Sequence, residues 1–285
     1  MTKRVSVLAI CAVLGAVPVS VLAAAPGAAR TAPPPGVDGA AVRFTNPEGV
    51  QLSGRWYPGP PRADAVVMAP RGPGGTDSLD AAAKQMQSRG FSVLTFDYRD
   101  FGPGRPAVPD SLRYVVLATR WVTDMVGALG FARGRVESGA HVFAWGGHDL
   151  PSRVALAAAA RDSQLCDGVA IEGVQRSSEE IMRLDGTALI PEAVRQQARK
   201  VMMRDEPAAA AANLKVPVLL LAGGLDTLTS PGDTQRMFAG GRNRRDRMLF
   251  PQGGHTDLER SPDYFERLSA WLRRMANMLP RPAGP

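Results

Sequence analysis

Short, largely unbroken apolar runs at 65–69, 91–96, 141–145, 168–171 and 216–222 constrain this chain more than any other feature. A strand with one wet face alternates apolar and polar residues, whereas a strand buried on both faces reads as a continuous apolar run. Between these runs lie segments with helical apolar spacing at 79–88, 112–131 and 153–161, with a final run at 247–250 and a closing helix at 263–278. Strand and helix in alternation predict a mostly parallel central sheet with helices on both faces. Two further β-like runs, 41–44 and 52–56, flank Asn46-Pro47-Glu48-Gly49 and predict a hairpin ahead of the parallel part. Hydrophobic residues make up 45% of the 285-residue chain, enough for a sizeable core. No internal period is present, which sets aside solenoids and propellers.

The first residues read as a targeting segment. Lys3 and Arg4 precede a long apolar stretch, Pro18 interrupts it, and Ala23, Ala24 and Ala25 supply a small-residue exit. The expected organisation is a signal peptide over 1–25, a Pro- and Ala-rich tether over 26–39 and one domain over 40–280. An uncleaved membrane anchor is the alternative, and the Ala-rich exit and the proline argue against it. A lipoprotein fits less well, because Cys11 follows Ile10 within the apolar stretch. A periplasmic or secreted location is therefore expected, with no stable membrane span after cleavage. Cleavage would remove Cys11 and leave Cys166 alone, so no intramolecular disulfide is expected and Cys166 reads as a buried thiol. The histidines are His141, His148 and His255, too few and too isolated to suggest a metal cluster, and no cofactor motif stands out.

The formal charge of +7 drops by two, to +5, without Lys3 and Arg4. The excess is scattered, apart from a knot at Arg242, Arg244, Arg245 and Arg247, which reads as a solvated loop. The alternative is attraction to an anionic surface. Nucleic acid is not an expected partner, because the basic residues lack interleaved aromatics.

Ligands of parallel sheets bind at the carboxyl ends of the strands, so the loops there are where chemistry belongs. Three strand ends carry telling residues in chain order: Val142-Phe-Ala-Trp-Gly-Gly-His-Asp-Leu-Pro-Ser-Arg-Val-Ala-Leu156, Val216-Pro-Val-Leu-Leu-Leu-Ala-Gly-Gly-Leu-Asp226 and Gly253-Gly-His255. These resemble the nucleophile elbow, acid strand and base loop of the α/β-hydrolase fold family, in that family's order. Arg71-Gly-Pro-Gly-Gly75 is similar to its His-Gly oxyanion loop, and Phe96-Asp-Tyr-Arg-Asp-Phe-Gly102 to its Asp-x-Arg-Gly-x-Gly turn. The resemblance spans roughly 41–278 and implies an α/β-hydrolase fold with a small helical cap inserted over 174–213. It also implies that Asp226 and His255 are hydrogen-bonded neighbours serving as acid and base, since a carboxylate on the far nitrogen holds a histidine in one tautomer. Asp226 could instead cap the helix starting near Ser230-Pro231, and Asp233 lies within that helix's first turn. His255 could instead be a core or capping histidine.

The usual serine nucleophile is absent. One register of the elbow places His148 at its apex, between Gly146 and Leu150; a neutral imidazole is a poor nucleophile and Leu150 is bulky. The other places Asp149 there, in Gly-His-Asp-Leu-Pro, which resembles the Gly-His-Asp-Trp-Gly elbow of haloalkane dehalogenases and epoxide hydrolases. A carboxylate can attack carbon and form an ester that His255-activated water hydrolyses. Ser152 falls three residues later, inside the predicted helix, and is no substitute. The pattern departs elsewhere too. Leu150 stands in the halide-holding tryptophan's place, Pro151 and Ser152 replace small residues, and the oxyanion loop Gly72-Pro73-Gly74 carries a proline with no N–H to donate. A one-residue shift would put Gly74 at the oxyanion.

The 174–213 segment lacks Tyr and Trp, which disfavours epoxide opening by the family's tyrosines. Its Ile181, Met182, Leu184, Leu189 and Ile190 suggest a roof for small neutral molecules. Two functions stay open. One is hydrolysis of a small ester-like or alkyl substrate by Asp149, His255 and Asp226. The other is a non-catalytic member of the fold that binds a ligand or partner in the same cleft. A phosphate loop at 72–75 is disfavoured because no Lys-Ser/Thr pair follows the glycines.

Overall fold

The apolar runs become strands whose side chains alternate between two cores. The computed structural model describes residues 38–71, 75–101, 117–174, 196, 206–232, 236 and 245–282. Among them, the strands are β1 (Ala40–Thr45), β2 (Gln51–Tyr57), β3 (Ala65–Ala69), β4 (Ser92–Phe96), β5 (Val142–Gly146), β6 (Gly168–Glu172), β7 (Val218–Gly223) and β8 (Arg245–Phe250). They form one sheet in the order β1-β2-β4-β3-β5-β6-β7-β8. β1 with β2 and β2 with β4 are antiparallel, and every later pairing is parallel. The predicted hairpin is β1–β2, with Phe44 opposite Leu52.

In β3, Val67 joins one core while Val66 and Met68 join the other, the period of two expected of a strand covered on both faces. The described helices divide accordingly. After α1 (Gly75–Ser78) comes α2 (Asp80–Gln87), then α3 (Leu117–Arg133), α4 (Leu150–Arg161), α5 (Pro207–Asn213) and α6 (Tyr264–Met278). α3, α4 and α5 share the core of Val67, Ile171 and Leu220, while α2 and α6 share that of Phe143, Leu219 and Trp271. Alanines at 155 and 157–159 are all buried, so α4 lies close against the sheet.

Two expectations change here. The arginine knot does not read through as a loop: Arg245 and Arg247 lie in β8, opposite Val218 and Leu220 of β7. β8 ends the sheet, so only one edge of it must pair and its polar residues can reach water. Arg242 and Arg244 lie outside the described residues. Of the 174–213 segment, expected as a cap, only Val174, residue 196 and 206–213 are described. Its end, α5, is a core element, with Ala210 and Ala211 buried beside α4. Ile181, Met182, Leu184, Leu189 and Ile190 lie outside the described residues, as do the signal and tether segments up to 37 and Asp233. Among the described residues no helix is long and apolar enough to cross a membrane. Cys166 is buried as expected, its thiol 3.0 Å from the Gly168 carbonyl and pushed up to about 12 by burial.

The two turns preceding the site are braced by charge. Asp97, just past β4, accepts hydrogen bonds from the Thr76 backbone N–H at 3.2 Å and hydroxyl at 2.6 Å, tying α1 to the neighbouring strand end. Arg99 is buried against Asp124 of α3 at 2.7 Å, and Asp124 also accepts from Asn46 at 2.7 Å. The Asp-x-Arg turn is therefore a brace beneath the site.

Candidate active site

A strand-to-helix turn between β5 and α4 presents Asp149 with φ 61° and ψ −121°. An L-residue seldom takes that conformation, which is all but reserved for glycine, so the surrounding turn must over-determine it. Three contacts do so. A Cβ on Gly146 would lie 2.4 Å from the Pro151 carbonyl oxygen, so only glycine permits the backbones to close. Buried Ser152 shares its hydroxyl proton between the Gly146 and Gly147 carbonyls, at 2.8 and 2.5 Å, and accepts the Glu172 N–H at 2.7 Å. The Asp149 N–H is donated to the Gly173 carbonyl at 3.3 Å. Pro151 fits because it lies in the first turn of α4, where a missing N–H costs nothing. Ser152 is thus the lock of the turn.

The positive φ falls on Asp149, so the apex position belongs to it and not to His148. His148 lies alongside, with its ring centroid 5.7 Å from that of His255. Burial, then the Arg71 charge, hold His148 below the usual histidine range, so it stays neutral at pH 7.

The structure brings Asp149, His255 and Asp226 together from three different strand ends. His255 Nδ1 lies 3.0 Å from Asp226 Oδ2, and its Nε2 lies 2.9 Å from Asp149 Oδ1. The Nε2 contact lacks the alignment of a hydrogen bond. Asp226 is not a helix cap: its Oδ1 accepts the N–H groups of Leu228 and Thr229, both at 2.8 Å, closing a tight turn. The Thr229 hydroxyl donates to Asp226 Oδ2 at 2.5 Å. Burial pushes the Asp226 carboxyl up, but the bonds from His255 and Thr229 outweigh it and leave it below the usual range. Asp149 and Asp226 together outweigh the burial of His255 and raise it to about 10. At rest the site is an imidazolium between two carboxylates.

Leu150 opens α4, and a helix's first-turn N–H groups have no intrahelical acceptor, so its N–H is suited to an oxyanion. The expected oxyanion loop, Gly72, Pro73 and Gly74, lies outside the described residues.

Sequence reasoning missed four residues. Thr229 braces the acid, as described. Arg71, at the end of β3, pairs with Glu259, lies 5.7 Å from the Trp145 ring, and would be 3.1 Å from a Cβ at Gly147. Glu172, at the end of β6, is buried and accepts a hydrogen bond from Tyr264 of α6. An acidic residue closing an apolar strand run was the one available signal for Glu172.

No protein-family model matches the chain, and a search of curated protein sequences found no match. Solved structures do resemble it. DcsB, determined in complex with its substrate analogue, superposes with a TM-score of 0.66 at 14% identity, covering 84% of this chain and 98% of that one. The α/β hydrolase GrgF from Penicillium sp. sh18 gives 0.63 at 18% identity, covering 85% and 99%. The esterase Pf2001 of Pyrococcus furiosus gives 0.61 at 14% identity, covering 83% and 92%. With the strand order and the turn at Asp149, these likenesses place the chain in the α/β-hydrolase fold. Identities this low speak for the fold alone.

Proposed function

We propose that this protein is an exported hydrolase of a small ester-like or alkyl substrate, with Asp149 as nucleophile, His255 as base and Asp226 as the acid that orients it. The observation that carries this reading is the strained elbow conformation of Asp149, held within 2.9 Å of His255. Strain of this kind persists where the surrounding fold over-determines it, as functional sites do. Hydrolase and esterase activities of the structural relatives agree with the class of reaction. Export rests on the sequence of the first 25 residues alone.

The steps follow from the charges. An Asp149 carboxylate oxygen attacks the electrophilic carbon, and the leaving group departs with its bonding electrons. The resulting ester is neutral, so His255 loses one of the two carboxylates that hold its proton, and its affinity for that proton falls. Once the proton has gone to solvent, His255 takes another from a water molecule, whose oxygen attacks the ester carbonyl carbon. Collapse of the tetrahedral intermediate releases an alcohol, which takes the proton from His255, and the carboxylic acid left at Asp149 passes its remaining proton to His255, restoring the carboxylate and the imidazolium. The net change is R–X plus water to R–OH, X⁻ and a proton. The Leu150 N–H is placed to stabilise the oxyanion.

The test is to expose His255→Gln protein to a panel of small esters, halides and lactones and measure intact mass. The expected result is a trapped ester on the peptide containing Asp149, absent in Asp149→Asn. Equal turnover by wild type and Asp149→Asn would refute the covalent role.

One observation favours a second reading, a non-catalytic binding protein. In the resting site the imidazolium and Asp149 occupy each other, leaving no base at neutral pH until Asp149 is modified. Tight ligand binding with no turnover and no adduct from any substrate would favour it.

A further inference from the structure

Behind the three residues above lies a second buried carboxyl group that the proposed steps do not use. Glu172 ends β6, and its backbone N–H is donated to Ser152, the lock of the elbow. Its side chain accepts a hydrogen bond from the Tyr264 hydroxyl, whose oxygen in turn accepts the Trp145 indole N–H at 2.9 Å. The next residue, Gly173, has φ +44° and lies directly against the base: a Cβ there would be 3.4 Å from the His255 ring and 2.8 Å from Thr229 Oγ1. The same glycine's carbonyl accepts the Asp149 N–H. One dipeptide thus touches the nucleophile's backbone, the elbow lock and the floor under the base.

We propose that Glu172 is a positioning residue for His255, its buried carboxyl, held by Tyr264 one residue from the glycine that lies against the imidazole, setting how readily the imidazole gives up its proton. The proposal rests on the reading of His255 as the site's base. The groups facing Glu172 are Tyr264 of α6, Trp145 of β5, Arg71 beyond β3 and His255 beyond β8. Arg71 is itself paired with Glu259. Those facing His255 are Asp149, Asp226, His148 and Thr229. Burial raises Glu172 to about 7, against the lowering pull of Tyr264 and Arg71. Its charge therefore changes across neutral pH, where Asp226, held below the usual carboxylate range, stays ionised. Below neutrality the site carries one negative charge fewer, and His255 releases its proton more easily. Above neutrality the added charge holds that proton more firmly.

The test needs no substrate. The chain has three histidines, so their ring resonances can be assigned by single substitutions and followed by NMR against pH. In the wild type the His255 signal is expected to show a minor inflection near pH 7 and its main transition near 10. Glu172→Gln should remove the minor inflection and lower the main transition by about one pH unit, the order of effect of losing one nearby buried charge. Tyr264→Phe should keep the minor inflection and move it to higher pH, because the hydroxyl that favours the carboxylate is gone. The His141 signal, from the far end of the sheet, should not move in either variant. A single-step His255 titration in the wild type, or a neutral-pH inflection that survives Glu172→Gln, would overturn the proposal. Ester adducts formed with an unaltered titration would sink the coupling alone. The expected shifts without any adduct would uphold the coupling and remove the catalytic reading.

Discussion

A histidine flanked by carboxylates stands at each end of this sheet, and the two are held by different means. At the starts of the strands, His141 lies 3.5 Å from Asp167, whose carboxylate also takes the Val142 N–H at 2.8 Å and Arg133 at 2.5 Å. Asp64 accepts the His141 N–H at 2.8 Å. Those carboxylates satisfy backbone donors that open β5 and would otherwise be buried without partners. At the strand ends, Asp149 and Asp226 face His255 itself, and Asp149 does so from a backbone conformation that costs of order 1–3 kcal/mol. Its side chain is 39% exposed, against 3% for His141. The same residue types close the fold where they answer the backbone at one end, and answer each other beside solvent at the other.

Substitutions can break this comparison. The largest effect should come from Asp149→Asn, which should lower turnover and adduct formation by about 10⁴-fold or more, read by initial rates and intact mass. Asp226→Asn should slow release of the adduct by roughly 10²–10⁴-fold and lower the His255 titration from about 10, because one of its two carboxylates is lost. At the other end, Asp167→Asn should cost about 1–3 kcal/mol in urea unfolding and leave adduct formation unchanged. A rate loss there comparable to that of Asp149→Asn would erase the distinction between the two ends.

The smallest effect is the pH dependence of stability. His255 is raised in the folded state, so its ion pairs stabilise fully below its unfolded value of about 6.5 and fade as pH rises through about 10. Asp226 is lowered, so its contribution is present above its unfolded value and is lost as pH falls below it. Thermal unfolding of wild type minus His255→Gln should therefore show a difference that shrinks from pH 6.5 towards 10. A difference that grows over that window would contradict the charge assignment.

The sequence by itself determined the sheet. Apolar runs such as 65–69 and 218–221 must be buried on both faces, and only helices on either side can do that. Asp226 was legible as a candidate because it follows such a run, and His255 because Gly253-Gly254 follows the short apolar end of β8; each strand carries its residue to one edge. The residue pattern favoured Asp149 over His148 at the apex of the elbow but did not fix the register. A backbone dihedral decided it, set by how closely Gly146 approaches Pro151. Charged residues 245–247 concealed the start of β8, because an edge strand with a wet face loses the apolar signature. Glu172 and Tyr264 stand 92 residues apart, and Trp145 and Tyr264 stand 119 apart. No local pattern encodes such a meeting. It exists only because the strand order sets β5 beside β6 and the closing helix brings Tyr264 against both.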